Sequence, residues 1–585
     1  MKTNAPRVAQ YTRNVILLAQ IASRHLVDDP VVLVVQAVRK TPHRAGKTLG
    51  RLLSTLPGAG TRALGQQILG AKQLATETKD ALATPATNPW ARFQHRITAE
   101  VAVNYGAVDH LDTSLPPAVR ARAAWNAGAV SQALTIASCH RAARSYAKRL
   151  AGEAEALDPH FMLTPLPAEP VPSTGAGISV LHLLTNSLPA TQSGYTLRSH
   201  RLLTSLARTG VQVTAITRIG YPVLVGGVTA TDTATVGTIK YRRLLPWSIG
   251  RTLPQRLQQT VAETLSAVEG HPIDVVHTTT NYQNALVAQA LARSLGVPWV
   301  YEVRGIMEET WVSSKKNEAD CRIAEMSERF ALVRARETQF CLQADAVVTL
   351  SQTMKDLLVS RGVPAEKIVL APNAVEETLF EQDLDPVAAR EHLGLPTAGH
   401  WVGSVTSVVP YEGLDTLLRA AAILRQSGQD VRVLIAGDGT DRNRLELLAT
   451  ELGLGEHAVF TGRLTPERAL IAHQSLDIFV VPRTNDKVCR SVTPLKPIEA
   501  MALGRPVVMS DIPPLAELIN NPIAPGAGRL FEAENPAALA QVLHEFLADS
   551  AARKESAVKG RAFAQTRLWK HNADTLNELY RKILI

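Results

Sequence analysis

Short apolar segments alternate with helical stretches from residue 178 almost to the end of the chain, and this alternation limits the possible folds. Six segments in the first run have the apolar character of buried strands: ISVLHLLT, VQVTAIT, DVVHTTT, PWVYEVRG, AVVTLS and KIVLAPNAV. The alternation restarts after a polar stretch at residues 377–385, with HWVGSVT, VRVLIAGDG, AVFTGRL, LDIFVVPR and PVVMSD. Apolar strands separated by helices predict parallel, doubly wound sheets. The sequence therefore predicts an α/β protein with two Rossmann-like domains and a cleft at the carboxyl ends of their strands, where ligands bind.

The chain before this alternation has a different character. Residues 1–157 are rich in Ala, Leu and Arg, and VSQALTIASCHRAARSYAKRLAGEAEAL places apolar residues at helical spacing, which predicts an α-helical extension. Five prolines in residues 158–177 indicate a linker. The predicted divisions of the remainder are a first Rossmann-like domain at 178–385, a second at 386–560, and a final helix at 561–585.

Positive charge is concentrated in the extension. Residues 1–175 carry 20 Lys and Arg side chains against 11 Asp and Glu, whereas the whole chain carries 62 against 53. The rest of the chain is therefore neutral, which argues against nucleic acid as its partner and favours an anionic partner for the extension alone. The stretches YTRNVILLAQIASRHLV and GKTLGRLLSTL combine basic and apolar residues. They could lie on an anionic membrane surface, or the extension could pack on the body with its basic face in water.

The cysteines and the first residues bear on the class of protein. The four cysteines form no CxxC pair, so neither a zinc site nor a disulfide framework is expected. The apolar run within MKTNAPRVAQYTRNVILLAQIASRHL is too short to span a bilayer and too interrupted for a signal peptide. We therefore expect a cytoplasmic protein without a metal or other cofactor, peripheral on the inner face of the membrane if the extension binds lipid.

A first candidate site is the loop SLPATQSGYTLRSH. It places Gly194 between a predicted strand and the start of a helix, where glycine lets backbone N–H groups approach a phosphate. The alternative is an ordinary turn between a strand and a helix. No GxGxxG pattern follows this strand, which argues against a nicotinamide dinucleotide.

A second candidate site lies in VCRSVTPLKPIEAMALGRPVV. Arg490 and Lys496 flank a turn there, and two cations at such a place could hold a pyrophosphate. Glu499 follows in the first turn of the next predicted helix, where a carboxylate can accept both hydroxyls of a ribose. The alternative is a helix whose first turn simply favours glutamate.

Seven segments, taken in chain order, resemble the retaining GT-B glycosyltransferases of family 4. They are SLPATQSGYTLRSHRLLTSLARTGVQV, IDVVHTTT, PWVYEVRG, ADAVVTLSQTMKDLLVSRGVPAEKIVLAPNAV, VLIAGDG, VFTGRL and PLKPIEAMALGRPVVMSDIPPLAELI. The resemblance covers about two thirds of the chain. It implies two Rossmann-like domains, a nucleotide sugar held mainly by the second, and a final helix in TRLWKHNADTLNELYRKIL that crosses back to the first.

The resemblance also implies roles for individual residues. The family's signature ends in two glutamates, of which the second contacts the donor ribose. Glu499 matches this second glutamate, and Ser491 stands at the position of the first. Family members often carry an Arg and a Lys after the first strand of the second domain. At these two positions this chain has Thr406 and Glu412 instead. Family members also carry a His at the end of a strand in the first domain, and this chain has Arg304 at that position.

Because Thr406 and Glu412 replace the family's Arg and Lys, the positive charge of those two residues must come from elsewhere in this chain. Arg490 and Lys496 are predicted to replace it and to stabilise the leaving diphosphate. Gly194, Ser491 and Glu499 are the predicted donor-binding residues.

Four other positions carry weaker signals. Asp383-Leu384-Asp385 has the DxD pattern of a metal motif but follows no apolar strand, which favours a solvated loop. His277 ends a strand and could face the cleft or make a structural hydrogen bond. Trp311 could stack on an acceptor or be a packed aromatic, and Cys489 has no assigned role.

The resemblance predicts an enzyme that moves a sugar from a nucleoside-diphosphate sugar to an acceptor hydroxyl with retention of configuration. The acceptor would be a carbohydrate or a lipid-linked molecule of the cell envelope, contacted from the cleft by Arg304, Glu412 or His277. The alternative is a non-catalytic protein of the same fold that binds nucleotide sugars. Glu499 with two cations favours the enzyme, because leaving-group stabilisation needs positive charge beside a pyrophosphate.

Overall fold

A computed structural model describes most of the chain. The described residues are 5–28, 31, 43–69, 74–83, 87–103, 112–140, 143–169, 171, 175, 177–315, 317–382 and 384–585. Asp383, the first residue of the DxD pattern, lies outside the described residues.

The described part of the extension is helical, as predicted. Its helices are α1 (Ala5–Asp28), α2 (His43–Thr55), α3 (Ala59–Leu69), α4 (Leu74–Ala83), α5 (Pro89–Val103), α6 (Pro117–Ala127), α7 (Val130–Cys139) and α8 (Arg144–Leu157). The stretch at residues 130–157 that has helical spacing forms two helices, because the backbone becomes extended at His140.

Helix α1 packs on the first sheet domain. Leu17 is completely buried in the core of that domain. The side-chain amide of Asn14 donates to the carbonyl oxygens of Val228 and Ala230 at 2.9 and 2.7 Å. Arg24 Nη1 donates to the Gly250 carbonyl at 2.9 Å. The stretch YTRNVILLAQIASRHLV, for which both a membrane surface and packing on the body were possible, thus packs on the body through Asn14, Leu17 and Arg24.

The last helices of the extension dock on the same domain. The backbone N–H and hydroxyl of Ser131 donate to the Glu328 carboxylate at 2.7 and 2.5 Å. The Arg329 guanidinium lies between the rings of Trp125 and Trp311, 5.5 and 4.8 Å from their centroids. Trp311 is therefore a packed aromatic of this contact, and the extension is fixed to the body at both of its ends.

The first sheet has eight strands in the order β3-β4-β2-β1-β5-β6-β7-β8. They are β1 (Ser179–Leu184), β2 (Gln212–Thr217), β3 (Thr233–Val236), β4 (Ile239–Arg243), β5 (Val275–Thr279), β6 (Trp299–Val303), β7 (Ala346–Thr349) and β8 (Ile368–Leu370). All pairings are parallel except that of β3 with β4, so the expectation of a parallel sheet fails at this edge.

Helices cover both faces of the first sheet. They are α9 (Gly194–Arg208), α10 (Leu253–Val268), α11 (Tyr282–Leu295), α12 (Met307–Ser313), α13 (Glu318–Glu325), α14 (Glu328–Gln343) and α15 (Gln352–Ser360). Strands such as β1 are buried along their whole length because helices pack on each side.

The second sheet has six parallel strands in the order β11-β10-β9-β12-β13-β14. They are β9 (His400–Val405), β10 (Val431–Ala436), β11 (Ala458–Gly462), β12 (Ile478–Val481), β13 (Val507–Ser510) and β14 (Gly528–Phe531). Its helices are α16 (Pro386–Leu393), α17 (Leu414–Gln426), α18 (Arg442–Glu451), α19 (Pro466–Gln474), α20 (Lys496–Ala502), α21 (Pro513–Ile519), α22 (Pro536–Ala548) and α23 (Ser550–Gln565). Both sheets are doubly wound, as predicted.

The chain crosses between the domains twice. Leu379 already packs in the second core, so the first domain ends before residue 385. Helix α23 runs past residue 561, and the return to the first domain is made by α24 (Trp569–Ile583). Helix α24 packs in one apolar cluster with Leu202 of α9 and Val180 of β1.

Within the described residues, no helix combines the length and the apolar character needed to cross a bilayer.

Candidate functional site

The two domains contact each other beside the carboxyl ends of their sheets. The Asn373 side-chain amide donates to the Thr493 carbonyl at 2.9 Å, next to the first crossing. Lys487 Nζ lies 2.9 Å from the Glu325 carboxylate at the rim. The loops that carry the predicted donor site therefore lie against the first domain.

Glu499 lies at the centre of this contact. Its carboxylate is buried, with Arg201 Nη1 at 2.8 Å from one oxygen and Lys496 Nζ at 2.7 Å from the other. Arg201 comes from α9 of the first domain, whereas Lys496 comes from the same turn of α20 as Glu499. Two cations thus converge on one carboxylate, and one of them crosses between the domains.

Electrostatics keep this carboxylate ionised. Burial opposes ionisation of Glu499, but the charges of Lys496 and Arg201 outweigh it and hold the pKa of the carboxyl well below its ordinary value. His473 lies 3.8 Å away and stacks on Phe479. Burial, with a smaller effect of Lys496, lowers the pKa of His473 to about 3. The site therefore holds a neutral imidazole beside an ionised carboxylate.

Glu412 forms a second buried ion pair, with Arg483. The guanidinium meets the carboxylate in a fork, Nη2 to Oε1 at 2.7 Å and Nε to Oε2 at 3.3 Å. Arg483 Nη1 also donates to the Val492 carbonyl at 3.0 Å, in the loop before Lys496. Gly413 (φ +64°) allows this approach, because a Cβ there would collide with the Pro482 carbonyl. Glu412 therefore holds a cation instead of serving as an acceptor contact on an open cleft wall.

Arg490 and Ser491 lie apart from these cations. Arg490 is exposed, and within the described part of the chain its side chain has no hydrogen bond or ion pair. The Ser491 hydroxyl donates to the Lys487 carbonyl at 3.0 Å and is directed into its own turn. Of the predicted cations, only Lys496 lies beside Glu499.

Gly194 begins α9, as predicted. Ser193 and Thr196 form a reciprocal cap around it, in which the Ser193 N–H donates to the Thr196 hydroxyl at 2.8 Å. A Cβ on Gly194 would meet no atom within 4 Å, so the position faces open space. The next residue, Tyr195, is exposed at the same edge.

Arg304 belongs to a buried polar network and does not face the open cleft. Its guanidinium donates to the Glu302 carboxylate at 2.5 Å and to the Ser199 hydroxyl at 2.6 Å. Arg198 binds the other side of Glu302 at 2.7 Å. Burial opposes ionisation of Glu302, but Arg304 and Arg198 outweigh it and hold its pKa far below the ordinary value. The network joins α9 to the end of β6.

His277 does not line the cleft, and its structural alternative holds. Its ring is buried under α24, where Nδ1 lies 2.7 Å from the Tyr580 hydroxyl. It also stacks on His182, with ring centroids 4.9 Å apart. The prediction of a cleft residue fails because β5 lies beneath the returning helix.

The remaining candidates have structural positions. The Asp385 carboxylate accepts from the Val387 N–H at 2.9 Å and caps α16. The Cys489 thiol donates to the Tyr411 carbonyl at 3.5 Å. Across the described residues, no three His, Cys, Asp or Glu side chains are grouped so that they could hold a metal ion.

The sequence reasoning missed Arg201, Arg483 and His473. Arg201 lies in the quoted segment SLPATQSGYTLRSHRLLTSLARTGVQV, one turn after Arg198 on the same helix. Arg483 directly follows an apolar strand, which is the position at which parallel sheets present site residues. His473 gives no sequence signal of its own.

Family comparisons match both sheet domains. Residues 193–374 match the family described as glycosyl transferase 4-like domain. Residues 388–563 match the family described as glycosyl transferases group 1.

Two curated relatives each align with less than half of the chain. The D-inositol 3-phosphate glycosyltransferase of Nocardia farcinica is 30% identical over 257 residues, which cover 42% of this chain and 55% of that protein. The alpha-monoglucosyldiacylglycerol synthase of Streptococcus pneumoniae is 24% identical over 264 residues, covering 44% and 57%. The chain thus spans little more than half the length of these relatives.

Solved structures share the fold of the two sheet domains. The sucrose-phosphate synthase of Thermosynechococcus elongatus superposes with a TM-score of 0.56 and 21% identity, over 69% of this chain and 98% of that one. HepE of Anabaena, in complex with UDP and glucose, superposes with a TM-score of 0.51 and 17% identity, over 69% and 100%.

Proposed function

Because this chain belongs to the GT-B glycosyltransferases of the family 4 type, we propose that it transfers a sugar from a nucleoside-diphosphate sugar to an acceptor hydroxyl with retention of configuration. The observation that carries the proposal is the ionised carboxylate of Glu499 between Lys496 and Arg201. An ionised carboxylate accepts hydrogen bonds only, and the two hydroxyls of a ribose can donate one to each of its oxygens.

Donor binding at Glu499 requires an exchange of partners. Glu499 is buried beneath these two cations, so a ribose diol can reach the carboxylate only if Arg201, Lys496 or both move aside. The displaced cations remain within reach of the diphosphate that is joined to the ribose. The same two side chains thus serve the carboxylate before binding and the phosphates after it.

Arg483 is the second candidate for the missing positive charge. It is rigidly presented by Glu412 and Val492, on the loop that leads to Lys496. Burial opposes its charge, but Glu412 outweighs this effect and raises the pKa of Arg483 above its ordinary value. We propose that Lys496 and Arg483 stabilise the leaving diphosphate, a role first predicted for Arg490 with Lys496.

The proposed chemistry is a substitution at one carbon of the donor sugar. The bond from that carbon to the diphosphate oxygen breaks, the acceptor oxygen bonds to the same face, and the acceptor proton passes to the departing phosphate oxygen. The protein contributes position and positive charge, so no covalent sugar–enzyme intermediate forms. Gly194, which faces open space at the start of α9, leaves room for the donor at this edge.

The acceptor class follows from the relatives. Their names specify an inositol phosphate and a glucosyl lipid. We infer a polyhydroxylated or lipid-linked acceptor for this chain, and a place in cell-envelope glycan or glycolipid synthesis at the inner face of the membrane.

A nucleotide screen tests the proposal. The full chain is melted with UDP, GDP, ADP and their sugars, and then assayed for release of nucleoside diphosphate from the donor that binds. A ligand at about 100 times its dissociation constant should stabilise the protein by roughly 2.7 kcal/mol. Binding without release, with every acceptor class supplied, would favour the non-catalytic alternative. Absence of any nucleotide effect would contradict both.

A further inference from the structure

One corner of the extension combines exposed apolar and basic side chains. The turn between α2 and α3 rests on the start of α5, where the Thr61 N–H donates to the Gln94 side-chain oxygen at 3.0 Å. Gly58 and Gly60 both touch Gln94 so closely that a Cβ would collide with it. The end of α2 and the first turn of α5 therefore share this corner.

The apolar side chains at the corner are unusually exposed. Trp90 is 59% exposed, Phe93 47% and Leu52 58%. The rings of Trp90 and Phe93 contact each other, with centroids 5.8 Å apart, so they form a continuous aromatic surface. Large apolar groups clustered on a surface indicate a binding site for another apolar body.

The charge at the corner has one sign. Residues 43–69 and 87–99 contain six Lys or Arg and no Asp or Glu. Arg51, Arg62 and Arg92 are exposed there. Tryptophan with arginine is the combination favoured where a protein meets lipid headgroups.

A second exposed apolar stripe lacks this charge. Helix α1 exposes Val8, Tyr11 and Val15. However, Arg13 pairs with Asp232, and Arg24 donates to backbone carbonyls of the first domain. Since these two arginines serve the body, the α1 stripe has less positive charge to offer an anionic surface.

We propose that this basic corner, made of Leu52, Trp90, Phe93, Arg51, Arg62 and Arg92, docks the protein on an anionic membrane. The apolar groups enter the headgroup region while the guanidinium groups meet lipid phosphates. The proposal concerns only the extension and does not depend on the donor site. Docking there would keep the attached sheet domains near the lipid surface.

Flotation with vesicles tests the proposal directly. The full chain is mixed with vesicles that contain phosphatidylglycerol or with vesicles of phosphatidylcholine alone. We expect binding to the anionic vesicles only, and weaker binding at high salt. Equal binding to both vesicles, or to neither, overturns the proposal.

Matched variants locate the surface. The triple variant Arg51→Gln, Arg62→Gln, Arg92→Gln should lower partitioning onto anionic vesicles about a hundredfold, because each cation near the headgroups contributes about a factor of five. Trp90→Ser with Phe93→Ser should lower it at least about tenfold. The control Arg251→Gln, Arg334→Gln, Arg468→Gln removes three exposed arginines elsewhere and should leave partitioning unchanged. Equal losses in the two triple variants would show a general charge effect and overturn the assignment, as would wild-type partitioning in both corner variants.

Discussion

Glu499 is a buried carboxylate with a cation on each oxygen, and this arrangement predicts the effect of its substitution. Glu499→Gln keeps the shape of the side chain but removes the negative charge that we propose accepts the ribose hydroxyls. Affinity for the nucleoside diphosphate should fall roughly tenfold to a hundredfold, as measured by calorimetry. Glu325→Gln removes a carboxylate from the rim ion pair and should leave affinity unchanged. Wild-type affinity in folded Glu499→Gln would contradict the ribose assignment.

Lys496 is partly exposed and lies beside Glu499, so its role is separable from folding. Lys496→Ala should lower kcat by about a hundredfold and raise KM less, because negative charge builds on the diphosphate as the sugar leaves. Steady-state kinetics with the donor found in the screen measure this effect. Lys487→Ala removes an exposed cation at the rim and serves as the control. Unchanged turnover in Lys496→Ala would place the diphosphate elsewhere.

His473 predicts a pH dependence of stability. Burial lowers its pKa to about 3, whereas an imidazole in the unfolded chain titrates near about 6.5. Between these values only the unfolded state takes up the proton. The contribution of His473 to the free energy of unfolding is therefore complete above about pH 6.5 and falls as the pH is lowered towards 3.

His473→Phe should remove this dependence while keeping a ring stacked on Phe479. The slope of the free energy of unfolding against pH should decrease by about 1.4 kcal/mol per pH unit between about pH 6 and pH 4. Urea titrations across that range measure the slope. His271→Phe changes an exposed histidine and should leave the slope as in the wild type. An unaltered slope in His473→Phe would contradict the assignment.

Single residues were predictable from sequence where a local pattern fixes them. Glu499 and Gly194 lie at helix starts, and their positions follow from the order of strand, turn and helix. The partner of a charge is a different matter. Glu412 meets Arg483 across 71 residues, and Glu499 meets Arg201 across 298. Residues so far apart in the sequence meet only because whole elements and domains pack together. Composition and motif spacing do not predict that packing.

At the scale of elements, α24 shows how one helix joins both domains. Tyr580 on this helix bonds to His277 of β5 at 2.7 Å, and both side chains are buried. Tyr580→Phe leaves His277 Nδ1 without its partner and should lower the free energy of unfolding by about 1–3 kcal/mol, measured by denaturant titration. Tyr11→Phe removes a hydroxyl from an exposed side chain and should change stability by less than about 0.5 kcal/mol. Equal stability of Tyr580→Phe and wild type would contradict this account.

Strands were predictable where most of their residues are apolar and buried. The strands recognised in the sequence include buried runs such as β1 and β10. The missed strands, β3, β4 and β14, carry exposed or charged residues, as in TATV and IKYRR. Edge strands have one open side and need no continuous apolar pattern, so the antiparallel β3 gives little periodic signal.

At the scale of the whole molecule, Arg201 is an ionic contact between the two sheet domains. Arg201→Gln removes this ion pair with Glu499, so it should loosen the contact between the domains and increase the radius of gyration of the ligand-free protein in X-ray scattering. Arg208→Gln, at an exposed site on the same helix, should leave scattering unchanged. If the radius of gyration of Arg201→Gln equals that of the wild type, the ion pair does not hold the domains together.

The double engagement of Glu499 has a thermodynamic consequence. The Glu499 carboxylate is buried beneath Arg201 and Lys496, so both hydroxyls of a ribose can reach it only in molecules in which these ion pairs have parted. The measured dissociation constant for a nucleotide then equals the intrinsic one divided by the fraction of molecules in which the carboxylate is free. A free fraction of about 1% would weaken apparent binding about a hundredfold. A second ligand that separates Arg201 from Glu499 would strengthen nucleotide binding. Bound nucleotide would strengthen the binding of that second ligand by the same factor.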